Sequence, residues 1–107
     1  MEISEEYFQL DSEIVRVLKE VYDPEIAVNI YDLGLIYEID TDNNKNVTIK
    51  MTMTAPNCPM ADSIIEEVRE NVKNIEGVKS VKISLVFDPP WDRDMMSETA
   101  KFELGFL

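Results

Sequence analysis

The lone cysteine of this 107-residue chain, Cys58, stands between Pro56 and Pro59 in the stretch MTAPNCPMAD (53–62). The thiolate, not the thiol, attacks sulfur and binds metals. Pro59 suits the first position of a helix, since its missing N–H is one of the donors a helix start leaves unpaired anyway. Cys58 is then expected at the N-cap, where converging N–H groups and the helix dipole stabilise a thiolate. Cysteine is a weaker cap than serine or aspartate, so the position suits reactivity. Burial as a small apolar side chain is the alternative, because free cysteine is among the most buried residue types. Spacing alone leaves the two readings open.

Asp23 and Glu25 flank Pro24, which pushes Asp23 out of the αR region. Carboxylates beside Cys58 would oppose its ionisation while recruiting a cation, and a bound cation would reverse that balance. Equally, Asp-Pro is a common helix stop and Glu25 could be a solvated loop acid. Thr52 and Thr54 alternate with Met51 and Met53, so they either bond to the cysteine loop or decorate a solvent face. Trp91 follows Pro89 and Pro90; it either covers the cysteine region or anchors the last helix, given the area a tryptophan buries. Met51, Met53, Met60, Met95 and Met96 read as core filler rather than a soft metal box.

Missing residue types narrow the chemistry. With no histidine there is no Cys-His dyad, Ser-His-Asp triad or imidazole ligand. Gly34, Gly77 and Gly105 are too far apart for a phosphate loop. A conventional hydrolase is not expected, and the reading is non-enzymatic. Ten basic residues against 22 acidic ones leave a net charge of −12. That argues against nucleic acid and against an anionic membrane surface, both of which need clustered Lys and Arg. A basic protein partner or a metal ion fits better, and excess acid also keeps a protein soluble. No apolar run of about 18 residues suggests a membrane span, and the acidic start MEISEEYFQL lacks a basic n-region. One cysteine cannot close an internal disulfide, so a reducing cytoplasm is the expected compartment.

The elements that must hold these residues follow from periodicity. From Asp11, a candidate N-cap, Ile14, Val15, Leu18, Val21 and Tyr22 predict a helix that Pro24 stops. Residues 26–34 read as a loop, with Gly34 in a special backbone conformation. Leu35, Tyr37 and Ile39, the turn TDNNKN, then Val47, Ile49, Met51 and Met53 predict a β-hairpin with one buried face. Ala61, Ile64, Ile65, Val68, Val72 and Ile75 form a helix stripe starting from Pro59, with Gly77 as C′ residue. Val81, Ile83, Leu85 and Phe87 predict a third strand, and Ser97 caps a short final helix. The fold class is α/β, in the two-layer α+β sense: α-β-β-α-β-α around one small mixed sheet. Residues 1–10 form an extension and 11–107 a single domain.

Three stretches together resemble the SufT/PaaD-like family of metal-sulfur cluster biosynthesis proteins: DPEIAVNIYDLGLIY (23–37), TAPNCPM (54–60) and PPWDRDMMSETAKFELG (89–105). The likeness runs from about residue 11 to the C-terminus and is closer to the stand-alone SufT type. Ala27 and Arg93 stand where the family pattern has proline. The resemblance implies iron–sulfur cluster assembly, building or delivering clusters to apo-proteins, and a fold like the NifU C-terminal domain. It implies Cys58 as reactive cysteine and metal ligand, with Asp23 and Glu25 as further ligands, and Thr54, Pro59 and Trp91 as supporting residues. A cluster needs about four ligands, mostly thiolates, so one cysteine implies a transient iron–sulfur cluster shared between two chains or with a partner. The implied partners are iron–sulfur assembly proteins, apo-protein clients and a second copy in a homodimer. The alternative is an adaptor joining assembly machinery to clients without touching metal.

Overall fold

The computed structural model describes residues 5–23, 26–54 and 61–106. In chain order these form α1 (Glu5–Leu18), β1 (Tyr22–Asp23), β2 (Ile26–Asn29), β3 (Ile36–Thr41) and β4 (Asn46–Met51). Then come α2 (Ala61–Lys73), β5 (Ser80–Leu85), a 3-10 turn (Arg93–Met95) and α3 (Glu98–Glu103). The α/β class and the mixed sheet agree with the periodicity.

α1 begins at Glu5, so Asp11 lies inside the helix rather than capping it. Its buried stripe is Leu10, Ile14, Val17 and Leu18, the i, i+4, i+7, i+8 spacing of one helix face. Val15 and Tyr22 fall off that stripe; Tyr22 is exposed. The helix stops at Leu18, well before Pro24. Val21 instead gives its carbonyl to the Ile30 N–H at 2.8 Å, and β1 pairs antiparallel with β2 through Tyr22↔Asn29 and Asp23↔Ile26. The segment expected as a loop therefore holds a strand. Strands of two and four residues are too short for an alternating pattern to show against a helical one.

The three-stranded sheet has the order β3-β4-β5, with β3/β4 antiparallel and β4/β5 parallel. α2 is the crossover that a parallel pair requires. Central β4 buries Val47, Ile49 and Met51 against Ile64, Val68 and Val72 of α2 and the stripe of α1. On edge strand β5, Val81 and Ile83 are half-buried and Leu85 is exposed; Phe87, expected in this strand, lies beyond its end and is exposed as well. The predicted alternation along β3 is broken by an irregularity between Ile36 and Glu38. Leu35 is buried and Tyr37 half-buried, its hydroxyl donating to the Pro89 carbonyl at 2.8 Å. Gly77 has φ +99° but lies four residues beyond Lys73, so it shapes the turn into β5 and is not the C′ residue of α2. Ser97 caps α3 as expected, its hydroxyl accepting from the Ala100 N–H at 3.1 Å.

The β3–β4 turn is organised by one carboxylate. Asp42 Oδ1 accepts from the N–H groups of Asn44 (2.8 Å) and Asn46 (2.9 Å), and Oδ2 accepts from Asn46 Nδ2 at 3.1 Å. The Asn46 bonds, backbone then side chain, hold the carboxyl below its ordinary value of 3.8. A depressed folded-state pKa contributes stability above the unfolded value, and that contribution is lost as pH falls through the folded value. The expected result is a carbon-detected titration of Asp42 with a midpoint below 3.8. The stability difference between wild type and Asp42→Ala should shrink toward zero across that acid window. A midpoint at or above the ordinary value would refute the assignment.

Candidate functional site

Two register pairs, Ile36↔Met51 and Met51↔Leu85, put the entry of β3 and the exits of β4 and β5 in one row. Ligand sites in open α/β sheets form beyond the carboxyl ends of parallel strands, and that end is where β4 and β5 finish. In chain order Cys58 and Pro59 fall in the connection leaving β4 there. Both lie outside the described residues, as do Glu25 and Met60, so the expected N1 and N-cap positions stay expectations of the sequence.

Thr52 departs from the solvent-face reading. It has 0% exposure, its N–H donates to the Leu35 carbonyl at 2.8 Å, and its hydroxyl has no hydrogen-bond partner among the described residues. Both faces of β4 are covered at this end of the sheet, which an alternation argument over the strand alone does not reveal. An unpaired buried hydroxyl costs about 1–3 kcal/mol. Thr52→Val keeps the shape and removes the hydroxyl, so it is expected to stabilise the fold by about 1 kcal/mol. That corresponds to a melting temperature raised by about 4–8 °C. A melt showing destabilisation would mean that the hydroxyl is satisfied. Thr54, two residues on, is half-buried.

Asp23 is the one buried carboxylate among the described residues, at 4% exposure. It sits on β1, in the hairpin whose other strand runs into the Ile30–Leu35 turn and so to the start of β3. That turn is fixed by side chains: Asn29 Nδ2 donates to Asp32 Oδ2 (2.8 Å), and the Asp32 N–H donates to Asn29 Oδ1 (2.9 Å). The Leu35 N–H closes it on the Ile30 carbonyl at 3.1 Å. Among the described residues no three cysteine, aspartate or glutamate side chains converge as a metal site. Asp23 alone of the expected ligands is described.

The C-terminal segment fastens onto this turn. Trp91 donates its indole N–H to the Leu33 carbonyl at 2.7 Å, and the Ser97 N–H donates to the Asp32 carbonyl at 2.8 Å. Half-buried Trp91 packs against the core beside Leu104, so it anchors the segment carrying α3. Met51, Met53 and Met96 are core residues, while Met95 is exposed with its sulfur 3.5 Å from the Tyr37 hydroxyl. Burial of Met51, Met53 and Met96 agrees with the core-filler reading, while exposed Met95 departs from it and Met60 lies outside the described residues. Between β2 and the C-terminal segment lies a groove of about 460 Å³, lined by Ile26, Ala27, Leu33, Trp91, Met96 and Phe106, with Arg93 its single charged residue. Sequence reasoning had marked Ala27 and Arg93 only as departures from a pattern; nothing in their spacing shows that they line one groove.

A family model described as iron-sulfur cluster assembly protein matches residues 11–85. An Fe-S protein maturation auxiliary factor of Porphyromonas gingivalis is 58% identical over 98% of this chain and 100% of its own length. The auxiliary factor SufT of Staphylococcus aureus is 39% identical over 79% of this chain and 97% of its own. The chain belongs to the SufT-like iron-sulfur cluster assembly family. A solved structure, the domain of unknown function DUF59 from Bacillus anthracis, is 37% identical. It superposes with a TM-score of 0.87 over 94% of this chain and 95% of that one. The fold of this SufT-like chain is therefore that of a DUF59 domain; the NifU comparison stays an expectation of the resemblance. Among the described residues, no helix is long and apolar enough to cross a membrane.

Proposed function

We propose that this protein is a non-catalytic iron–sulfur maturation factor that helps build or deliver clusters to apo-proteins through Cys58, with Asp23 and Glu25 in support. The observation that carries the reading is the end-to-end likeness to the Porphyromonas gingivalis auxiliary factor. The match covers 98% of this chain and the whole length of that relative. Burial of Asp23 on β1 supports it, because a plain helix-stopping aspartate belongs at the surface.

The cluster is cargo rather than a resident group. It needs about four ligands, mostly thiolates, and each chain offers one cysteine. Two Cys58 thiolates from a homodimer, or one with carboxylates, small thiols or a partner protein, would hold it incompletely. Incomplete ligation favours transfer over storage. Assembly proteins and apo-protein clients are the partners, the compartment is the cytoplasm, and the charge of −12 suits basic partner faces.

Anaerobic reconstitution with iron and sulfide, read by ultraviolet–visible and Mössbauer spectra, tests cargo binding. A companion assay follows the activation of an apo iron–sulfur enzyme. Cluster spectra that vanish in Cys58→Ser support the reading. Full client activation with no cluster spectrum, alone or with the client, would replace it with the adaptor role.

A further inference from the structure

We propose that the groove between β2 and the C-terminal segment is a binding site for an apolar carboxylate with the chemistry of a medium-chain fatty acid. Its volume of about 460 Å³ lies within the roughly 300–1,000 Å³ of small-molecule sites. Every lining residue but Arg93 is apolar. In a chain with 22 acidic and ten basic residues, Arg93 makes no ion pair among the described residues. Its two acidic neighbours are turned to other partners. Asp92 Oδ1 accepts from the Asp94 N–H at 2.8 Å, and Asp94 Oδ1 lies 3.9 Å from Lys101 Nζ. The guanidinium instead lies over the Phe106 ring, 4.6 Å from its centroid, which holds the cation against the apolar wall.

The same lining decides what kind of carboxylate fits. The Trp91 N–H is already committed to the Leu33 carbonyl, so the lining side chains offer no hydrogen-bonding group except the guanidinium. A peptide would carry backbone amides into this groove without side-chain partners, and each unpaired buried amide is costly. An acyl chain carries none, and its carboxylate can take two parallel bonds from arginine. Nothing in this binding requires the cluster chemistry proposed for Cys58.

The test is a titration of the full chain with sodium decanoate below its micelle concentration. The single tryptophan provides one indole N–H resonance and one fluorescence signal. The expected result is a saturable change with submillimolar affinity. Decanol and the Arg93→Gln variant should each bind at least roughly tenfold more weakly, the loss of a charge-assisted bond. Ala27→Trp, at an exposed position of β2, should fill the groove and abolish binding while circular dichroism stays that of wild type. The proposal is overturned by no saturable change, by equal affinity for decanol, or by full affinity in Arg93→Gln. It is also overturned if a tripeptide with an apolar free C-terminus binds more tightly than decanoate.

Discussion

Gly34→Ala is expected to be the most destabilising of the three glycine-to-alanine substitutions, costing more than about 2 kcal/mol. Gly34 has φ +82°, a left-handed conformation that costs a residue with a Cβ about 1–2 kcal/mol. Space adds to conformation: a Cβ there would lie 2.8 Å from the Met95 carbonyl carbon and closer still to its oxygen. That carbonyl belongs to backbone and cannot swing aside like a flexible side chain. It is held in the 3-10 turn, whose next residues are tied down by the Ser97 N–H on the Asp32 carbonyl. Making room means lifting the C-terminal segment away from the Ile30–Leu35 turn, which also strains the Trp91–Leu33 bond. Gly77→Ala is the control, with φ +99° and no atom within 4 Å of a built Cβ; it bears the conformational cost alone. For a domain of this length each kcal/mol is about 4–8 °C in melting temperature. Thermal and urea melts should therefore rank Gly34→Ala well below Gly77→Ala, and equal losses would refute the close approach.

Cys58→Ser is expected to abolish cluster delivery while leaving the melting temperature within about 2 °C of wild type. The thiolate is the group that binds iron, and a serine hydroxyl at neutral pH does not replace it. Serine is, however, a good N-cap of nearly the same size, so the start of the following helix should be kept or slightly improved. Were Cys58 instead packed in the core, the new hydroxyl would need a partner, and leaving it unsatisfied would cost about 1–3 kcal/mol. The melt would then fall by about 4 °C or considerably more. Activation of an apo iron–sulfur enzyme and a thermal melt on the same preparation separate the outcomes. A stable variant that still supports full maturation, or one that melts much earlier, would sink the reactive-cysteine hypothesis.

Strong local periodicity made much of the architecture legible. β4 reads as a strand because Val47, Ile49 and Met51 alternate with Thr48 and Lys50, and its central place buries the apolar set fully. α2 reads as a helix because Ile64, Val68 and Val72 share one face. Ser97 announces α3 because a hydroxyl before a short helical run satisfies an otherwise unpaired N–H. Gly34 was legible as a conformational need, but its closeness to Met95 was not, since that contact joins residues 61 positions apart.

The short hairpin of β1 and β2 shows where local reading stops. Val21 and Tyr22 continue a helical stripe on paper, yet their backbone groups pair across to Asn29 and Ile30. The choice between helix and strand is made by a partner segment, which periodicity within one segment cannot encode. The same holds at the candidate site. Residue chemistry by itself marked Cys58 and excluded histidine-based catalysis, because side-chain type and absence are local facts; Asp23 and Glu25 entered through the family resemblance. Only the tertiary structure buried Asp23 and Thr52, drew Trp91 onto Leu33, and brought Ala27 beside Arg93 around one apolar groove. Burial and neighbourhood depend on which segments the hydrophobic core brings together across the whole chain.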